Sequence, residues 1–168
     1  LGLAKYYSDA ISDNVKRTFE KMRRDGRWLG KPRIGYTKST DEQGKKTFIP
    51  DHERQHIIIR MFELYATGNY SLETLQREAI KMGLRSPFRN LEPSRSCIAN
   101  IIQDTFYYGM AYSKKYNLYY PHQYQCLITK ELFDKCQEVR KRKTTNHPKF
   151  LSKDFIFKGL LTCNNCGC

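Results

Sequence analysis

Two cysteines near the end of the sequence have the spacing of a metal-binding knuckle. Cys163 and Cys166 are separated by two residues and followed by a glycine, which permits a tight backbone turn. A thiolate pair at this spacing supplies half of a tetrahedral zinc site, and a complete site needs four ligands. Cys168 is a poor third ligand so close in sequence, and His122 and His147 are remote candidates. The pattern predicts a truncated zinc ribbon, with an accidental cysteine cluster or a redox pair as the alternatives.

A second group of residues has the chemistry of a nucleic-acid reader. Ser94, Arg95 and Ser96 are predicted to begin a short helix that follows another short helix and a loop. In a helix-turn-helix protein, the amino-terminal residues of the recognition helix contact base edges in the major groove. Arg can bind guanine through two hydrogen bonds, and Ser adapts to several bases. The alternative is a plain helical bundle in which Ser94 only caps the helix.

A third candidate is the segment 26–36, which combines glycine and proline with Arg27, Lys31 and Arg33. Glycine and proline prevent regular secondary structure, so the segment is predicted to be a linker with a defined but irregular backbone conformation. Narrow minor grooves of DNA attract inserted arginines through their negative potential. A minor-groove arm is therefore one interpretation of the linker, and an ordinary basic loop is the other.

The overall charge favours a polyanionic partner. Lys and Arg total 30 against 17 Asp and Glu, which gives a formal net charge of +13 and an isoelectric point near 9.5. No apolar run approaches the roughly 20 residues that a membrane-spanning helix needs, so a membrane partner is not expected. The sequence also lacks a glycine-rich phosphate loop and the HExxH and GxSxG motifs, and therefore gives no support to hydrolytic chemistry.

The six cysteines do not form the pattern of a disulfide-stabilised secreted protein. Cys97, Cys126 and Cys136 are scattered, and the other three crowd the last six positions. This distribution favours a reducing compartment, and we expect a cytoplasmic location.

The elements that carry these residues are predicted to form a mainly helical α+β fold. Apolar residues recurring every three or four positions predict a first helix over 4–24, whose apolar stripe would pack on one surface. Gly26 is expected to end this helix. Residues 36–39 and 46–49 flank a turn and are predicted to form a short hairpin.

A compact helix-turn-helix-like core is predicted to follow. Three short helices are expected, with Asp51, Ser71 and Ser94 as their amino-terminal caps. From 110 the apolar period changes to two, which predicts an antiparallel pair of strands that extends to 127. Thr129 is expected to cap a last helix.

Five segments occur in an order that is more specific than any one of them. They are the helical segment 4–17, the linker 26–36, the acid-started helix with Arg60-Met-Phe62, the segment 101–109 and the knuckle 159–167. In this order the chain resembles the large serine recombinases, the group that contains phage integrases and the long transposon resolvases. The resemblance covers essentially the whole chain.

The resemblance implies a division of the chain into four parts. Residues 1–25 would be the end of a connecting helix, 26–50 a basic linker and hairpin, 51–148 the recombinase DNA-binding domain, and 149–168 the start of the truncated zinc ribbon. The catalytic domain of the family, with its serine nucleophile, would lie outside this sequence. We therefore assign no catalytic residue and do not expect this chain to be an enzyme by itself.

The resemblance also implies sequence-specific binding of double-stranded DNA, within a parent protein that integrates, excises or inverts DNA. The linker resembles the minor-groove arm of the family, and the helix after Ser94 resembles its major-groove element. Self-association and zinc binding are implied for the parent protein, and no cofactor for this chain alone. The predicted DNA contacts are Arg24, Arg27, Lys31, Arg33, Tyr36, Arg85, Arg89, Ser94, Arg95 and Ser96, and the predicted metal ligands are Cys163 and Cys166.

Two other classes of function fit the composition. A basic, tyrosine-rich module could bind RNA by stacking exposed rings on bases, although its helical start differs from the common sheet-based RNA folds. A protein-interaction scaffold could instead carry the charge for solubility alone.

Overall fold

The computed structural model describes residues 2–28, 30–86 and 90–145. Within these ranges the chain forms five α-helices, one short 3₁₀ helix and two separate two-stranded antiparallel sheets. The predicted α+β class with a mainly helical content is therefore confirmed. Among the described helices, none combines the length and apolar character that a membrane crossing requires.

The first helix, α1 (Gly2–Arg24), ends where glycine permits a left-handed residue. Gly26 has a φ of +66°, and the backbone N–H of Arg27 returns to the carbonyl of Met22 over 2.8 Å. A Cβ atom at Gly26 would lie 3.1 Å from the carbonyl oxygen of Pro121, so the close approach also favours glycine here. The predicted end of the helix is confirmed.

The apolar stripe of α1 faces outward along the middle of the helix. Tyr7, Ile11, Val15 and Phe19 are each at least 44% exposed. The helix forms as its apolar periodicity predicts, but the described part of the chain supplies no surface that covers the stripe.

The predicted first hairpin is confirmed. Strand β1 (Tyr36–Thr40) pairs antiparallel with β2 (Lys46–Pro50). In the connecting turn, the Oδ1 atom of Asp41 accepts hydrogen bonds from the backbone N–H groups of Gln43 and Lys45. This side chain replaces missing backbone partners in the turn and fixes the pairing of the strands.

Three helices then build the core: α2 (Gln55–Ala66), α3 (Leu72–Lys81) and α4 (Arg95–Gln103). The caps predicted at Ser71 and Ser94 are confirmed by hydrogen bonds from the third residue of each helix to the serine Oγ. Their inward faces are buried, at Ile57, Ile58, Met61, Phe62, Tyr65, Leu75, Ala79, Ile98, Ile101 and Ile102.

The cap predicted at Asp51 is wrong. Helix α2 begins at Gln55 after Arg54, which makes no side-chain capping bond. Asp51 instead accepts a hydrogen bond from the backbone N–H of Glu53 and an ion pair from Arg54, so its carboxylate shapes the turn before the helix. A turn of this kind competes with the helix for the same carboxylate.

A 3₁₀ helix (Thr105–Tyr108), a second hairpin and α5 (Lys130–Thr145) complete the fold. Strand β3 (Met110–Ser113) pairs with β4 (Leu118–Pro121), and the Oγ1 atom of Thr129 caps α5 as predicted. The second strand is shorter than the expected extension to 127. The chain beyond this strand is held by isolated hydrogen bonds instead of strand pairing, such as the bond from the N–H of Leu127 to the carbonyl of Tyr107.

Candidate nucleic-acid interface

The amino end of α4 presents polar side chains to solvent. Ser94 accepts a hydrogen bond on Oγ from the backbone N–H of Cys97 over 3.2 Å. Arg95 and Ser96 are exposed, because the apolar face of α4 is turned into the core. The first turn of α4 is therefore accessible to a ligand, as the first turn of a recognition helix must be.

The connection that positions α4 is longer than the three- or four-residue turn of a typical helix-turn-helix. It is tied to α3 by a hydrogen bond from Nε2 of Gln76 to the carbonyl of Pro93 over 2.9 Å. Arg85 donates to the carbonyl of Leu84 and lies 3.6 Å from the carboxylate of Glu92. Arg85 thus braces this loop, whereas the predicted contact Arg89 lies outside the described residues.

The linker between α1 and β1 is fixed to the core along its length. The residues that bond to it come from the segment after β4 and from the 3₁₀ helix, both far away in the sequence. The bonds run from Gln123 N to Gly26 O, from Trp28 N to Tyr124 Oη, from Tyr107 Oη to Ile34 O and from Tyr36 Oη to Gln125 O, all between 2.8 and 3.1 Å.

Arg33 is the most constrained cation of the linker. Its Nε lies 2.8 Å from Oδ2 of Asp104, at an angle that makes an ion pair rather than an aligned hydrogen bond. Its guanidinium also lies over the indole of Trp28, with 4.7 Å between Cζ and the ring centroid. The side chain still keeps 36% of its surface exposed. Arg33 is therefore held in one direction without being fully buried.

The linker and α4 form the two walls of one groove, which we call the linker–α4 groove. Pro32, Arg33 and Ile34 line one wall, and one face of α4, from its amino-terminal cap to its carboxyl-terminal cap, lines the other. The structure thus brings together Arg33, Ser94 and Ser96 from the predicted set, although Arg33 lies 61 positions before Ser94 in the sequence. The α4 wall consists of Ser94, Ser96, Cys97, Asn100, Ile101 and Asp104.

Sequence reasoning missed Asn100. Its side chain is exposed and lines the linker–α4 groove. Asn can bind adenine through two hydrogen bonds, which suits it to a reading surface. The signal was present in the spacing, because residues four positions apart share a helix face and Asn100 follows Ser96 by four.

Tyr36 does not belong to the exposed surface, and its prediction as a DNA contact is corrected. The side chain is 3% exposed, and its hydroxyl donates to the carbonyl of Gln125 over 2.8 Å. Burial raises the pKa of the phenol well above its ordinary value. Tyr36 anchors the end of the linker in the core and is not available to a ligand.

The remaining predicted cations lie apart from this groove. Arg24 is exposed at the end of α1, beside an apolar depression formed with Tyr116 and Leu118 of the second hairpin. Arg27 donates from Nη2 to the carbonyl of Lys46 over 2.9 Å and so faces the first hairpin. Lys31 is exposed, and its carbonyl accepts a hydrogen bond from Nε1 of Trp28.

The part of the chain that the structure describes contains no group of three or more metal-binding side chains. Cys163 and Cys166 lie outside it, and the zinc expectation stays a prediction of the sequence. Cys97, Cys126 and Cys136 are free thiols. Burial raises the pKa of the Cys136 thiol to about 11, so this cysteine is not a ready nucleophile.

Comparison with known proteins gives a family and a fold. The family model described as Recombinase matches residues 52–143, which is more than half of the chain. No curated protein matches the sequence.

Solved structures share the fold, among them the following two. One is a crystal structure of an LSR–DNA complex, with a TM-score of 0.62 and 17% identity over 92% of this chain and 46% of that chain. The other comes from work on the sequence requirements of the Listeria innocua prophage attP site, with a TM-score of 0.61 and 18% identity over 92% of this chain and 62% of that chain. The chain thus spans less than two thirds of either solved chain.

Proposed function

This chain belongs to the Recombinase family, and from that membership we propose that it binds double-stranded DNA in a sequence-specific manner as part of a serine recombinase. The family resemblance noted in the sequence is thereby confirmed. The observation that carries the proposal is the linker–α4 groove, in which Arg33, held by its ion pair with Asp104, lies across from the face of α4 that carries Ser94 and Ser96.

The two walls of this groove have different chemistry. The α4 wall offers hydroxyl and amide groups at Ser96 and Asn100, with Arg95 exposed at the first position of the helix. Such groups discriminate between bases by hydrogen bonding in the major groove. The linker wall offers Arg33, a side-chain type that enters narrow minor grooves. A duplex that follows both walls would be contacted in adjacent grooves.

The wider surface supplies affinity without sequence preference. The formal charge of +13 attracts phosphates, and the binding constant should fall steeply as salt rises because counterions are released. Phosphate contacts of this type set the position of the protein on the duplex, while the base contacts set specificity.

We further propose that the parent protein carries out site-specific recombination, with DNA integration, excision or inversion as the outcome, and that it self-associates on its sites. Family membership and the likeness to a structure of an LSR–DNA complex support this part of the proposal. The chemical step is not assigned to any residue of this chain.

Fluorescence anisotropy at two salt concentrations tests the proposal. The duplexes are taken from the ends of the genetic element that encodes the protein, with scrambled duplexes of equal length as the control. We expect binding to the element ends to be tighter by more than about tenfold, or ~1.4 kcal/mol, and to weaken with salt. Equal affinity for both duplexes would contradict sequence-specific binding, and tighter binding to RNA would favour an RNA-binding module.

A further inference from the structure

A second groove, which we call the basic groove, lies between the start of the linker and the first hairpin. It is lined by Arg27, Lys38, Lys45 and Lys46, with Trp28 and Phe48 as its aromatic components. None of its lining residues is a carboxylate, and none is shared with the linker–α4 groove. This is a different surface from the one that carries the proposed function.

The hairpin pairing concentrates the lysines. Lys38 lies opposite Phe48 and Thr40 lies opposite Lys46, so the side chains of Lys38 and Lys46 share one face of the hairpin as diagonal neighbours. Like charges at this spacing repel each other unless an anion lies between them. The fold therefore keeps a cluster of cations together, and no acidic side chain within the groove neutralises them.

Arg27 is built into the same surface. Its Nη2 donates to the carbonyl of Lys46 over 2.9 Å, which places the guanidinium against the hairpin. The remaining N–H groups of the guanidinium are donors of the kind that bind phosphate oxygens. Arg27 is thus partly buried and held by a hydrogen bond at the edge of three exposed lysines.

The nearby carboxylates lie on one side only. Asp25, Asp41 and Glu42 line a neighbouring depression together with Arg27 and Lys45. Asp41 is already occupied, because its Oδ1 accepts two backbone N–H groups in the turn. These acids line the neighbouring depression and none of them lines the basic groove.

The two grooves are adjacent through a single side chain. Trp28 lines the basic groove, and Arg33 of the linker–α4 groove lies over its indole at 4.7 Å. We propose that the basic groove binds the phosphate backbone of the same DNA duplex that the linker–α4 groove reads. This inference rests on the proposed function and adds a contact surface, Lys38, Lys45 and Lys46, that the reading groove does not include.

A duplex backbone is the ligand that the observations favour. The cations are spread over both strands of the hairpin and the linker rather than gathered around one point, which suits a row of phosphates. Contacts of this type carry no base information. Their loss should lower affinity for every duplex by the same factor.

The test compares two triple variants with the unaltered chain. In the first, Lys38→Gln, Lys45→Gln and Lys46→Gln remove the charges of the basic groove. In the control, Lys81→Gln, Lys130→Gln and Lys135→Gln remove the same charge from exposed lysines that line neither groove. Binding to element-end and scrambled duplexes is measured by anisotropy over a series of salt concentrations.

We expect the basic-groove variant to lower the slope of log K against log salt by about 2–3, since each phosphate contact contributes about 0.9. Its affinities for both duplexes should fall by the same factor, more than about tenfold at low salt, so the specificity ratio is retained. A slope equal to that of the control variant would overturn the inference while leaving sequence-specific binding intact. Failure of the unaltered chain to bind duplex DNA in a salt-dependent way would overturn both.

Two further variants protect the test from a folding defect. Replacing the three lysines by arginine keeps the charges and should retain the slope. Lys45→Gln alone, at the exposed turn of the hairpin, should lower the slope by about 0.9. An arginine variant with a reduced slope, or a single variant with an unchanged one, would count against the basic groove as a phosphate site.

Discussion

Arg33 and Asp104 form an ion pair, with 2.8 Å between Nε and Oδ2, that joins the linker to the end of α4. The other carboxylate oxygen of Asp104 accepts the backbone N–H of Phe106 and starts the 3₁₀ helix. One side chain therefore connects the linker to the element that follows α4. The two walls of the linker–α4 groove are held relative to each other before any ligand binds, which lowers the entropy cost of binding.

A double-mutant cycle tests this coupling. Arg33→Ala and Asp104→Ala should each lower the free energy of unfolding, and the double variant should lose less than the sum by about 0.5–1 kcal/mol, because the pair is partly shielded from water. The measurement is urea unfolding of the four proteins. The exposed pair Lys16–Asp13 provides the control cycle, for which the coupling should be smaller. Strict additivity for Arg33 and Asp104 would contradict a stabilising contact.

Gly30 is predicted to be essential for the position of Trp28. A Cβ atom at Gly30 would lie 2.6 Å from Nε1 of the indole, which is held by the carbonyl of Lys31 and by Arg33. Gly30→Ala should therefore displace the indole and cost about 1–3 kcal/mol of stability.

Fluorescence reports this change directly, because Trp28 is the single tryptophan of the chain. The expected result is a shift of the emission maximum toward that of exposed tryptophan, together with a lower unfolding midpoint. Thr37→Ala, on the exposed side of β1, is the control and should change neither. An unaltered spectrum for Gly30→Ala would contradict the close contact.

The local elements could be predicted because their determinants are close in sequence. The periodic apolar residues of α2 and the serine caps of α3 and α4 each act within a few positions. The wrong prediction at Asp51 also concerns residues that are close in sequence. A carboxylate can cap a helix or shape a turn, and the sequence pattern around it does not distinguish the two roles.

The candidate site could be predicted only in part, because its contacts span the chain. The burial of Tyr36 depends on the carbonyl of Gln125, and the direction of Arg33 depends on Asp104. Neither partner can be identified from the spacing of the linker residues. The basic groove could not be identified from spacing either, because Lys38 and Lys46 become neighbours only through the pairing of two strands.

Arg95 and Lys16 are predicted to differ in what they contribute to binding. Arg95 begins the exposed turn of α4, whereas Lys16 lies on the exposed surface of α1 next to Asp13. Arg95→Ala should reduce the preference for element-end over scrambled duplexes by about 1–3 kcal/mol. Lys16→Ala should weaken binding to both duplexes alike. Equal losses on both duplexes for both variants, measured by anisotropy, would contradict this division.

Ser94 is predicted to act mainly through the helix that it caps. Ser94→Ala removes the acceptor for the N–H of Cys97 and should lower the free energy of unfolding by about 1 kcal/mol. Ser94→Asp retains an acceptor and should keep most of the stability, but its negative charge should weaken DNA binding. Thermal unfolding and anisotropy on both variants separate the two effects. Normal DNA binding by Ser94→Asp would argue against a duplex in the linker–α4 groove.

His122 is predicted to make stability depend on pH. Its Nε2 lies 2.7 Å from the carbonyl of Phe106, and its Nδ1 accepts the N–H of Tyr124. Burial lowers the pKa of the imidazole below its ordinary value, with a smaller opposing effect of the hydrogen bond to Phe106. The unfolded chain, with a pKa of about 6.5 at this residue, therefore binds more protons than the folded chain just below that pH.

Stability should consequently be fully present above about pH 6.5 and decline as the pH falls toward the lowered pKa. Urea unfolding between pH 7.5 and 5.5 measures the decline. His122→Gln should flatten the dependence, whereas His56→Gln, a change at an exposed side chain, should leave it in place. A decline of equal steepness in the His122 variant would assign it to other groups.

Helix α1 is anchored to the rest of the fold at its carboxyl end. The carbonyl of Gly26 accepts the N–H of Gln123, and the guanidinium of Arg23 lies 3.7 Å from the ring centroid of Tyr116. Because the helix spans 23 residues, its axis has a length of about 34 Å, and a change of ~10° at Gly26 would displace its first turn by ~6 Å. The position of the amino end of α1 relative to the two grooves is therefore determined by the angle at which the helix leaves its anchored carboxyl end. A small angular change at the anchored end is therefore enough to displace the far end of the helix by more than the height of one helical turn.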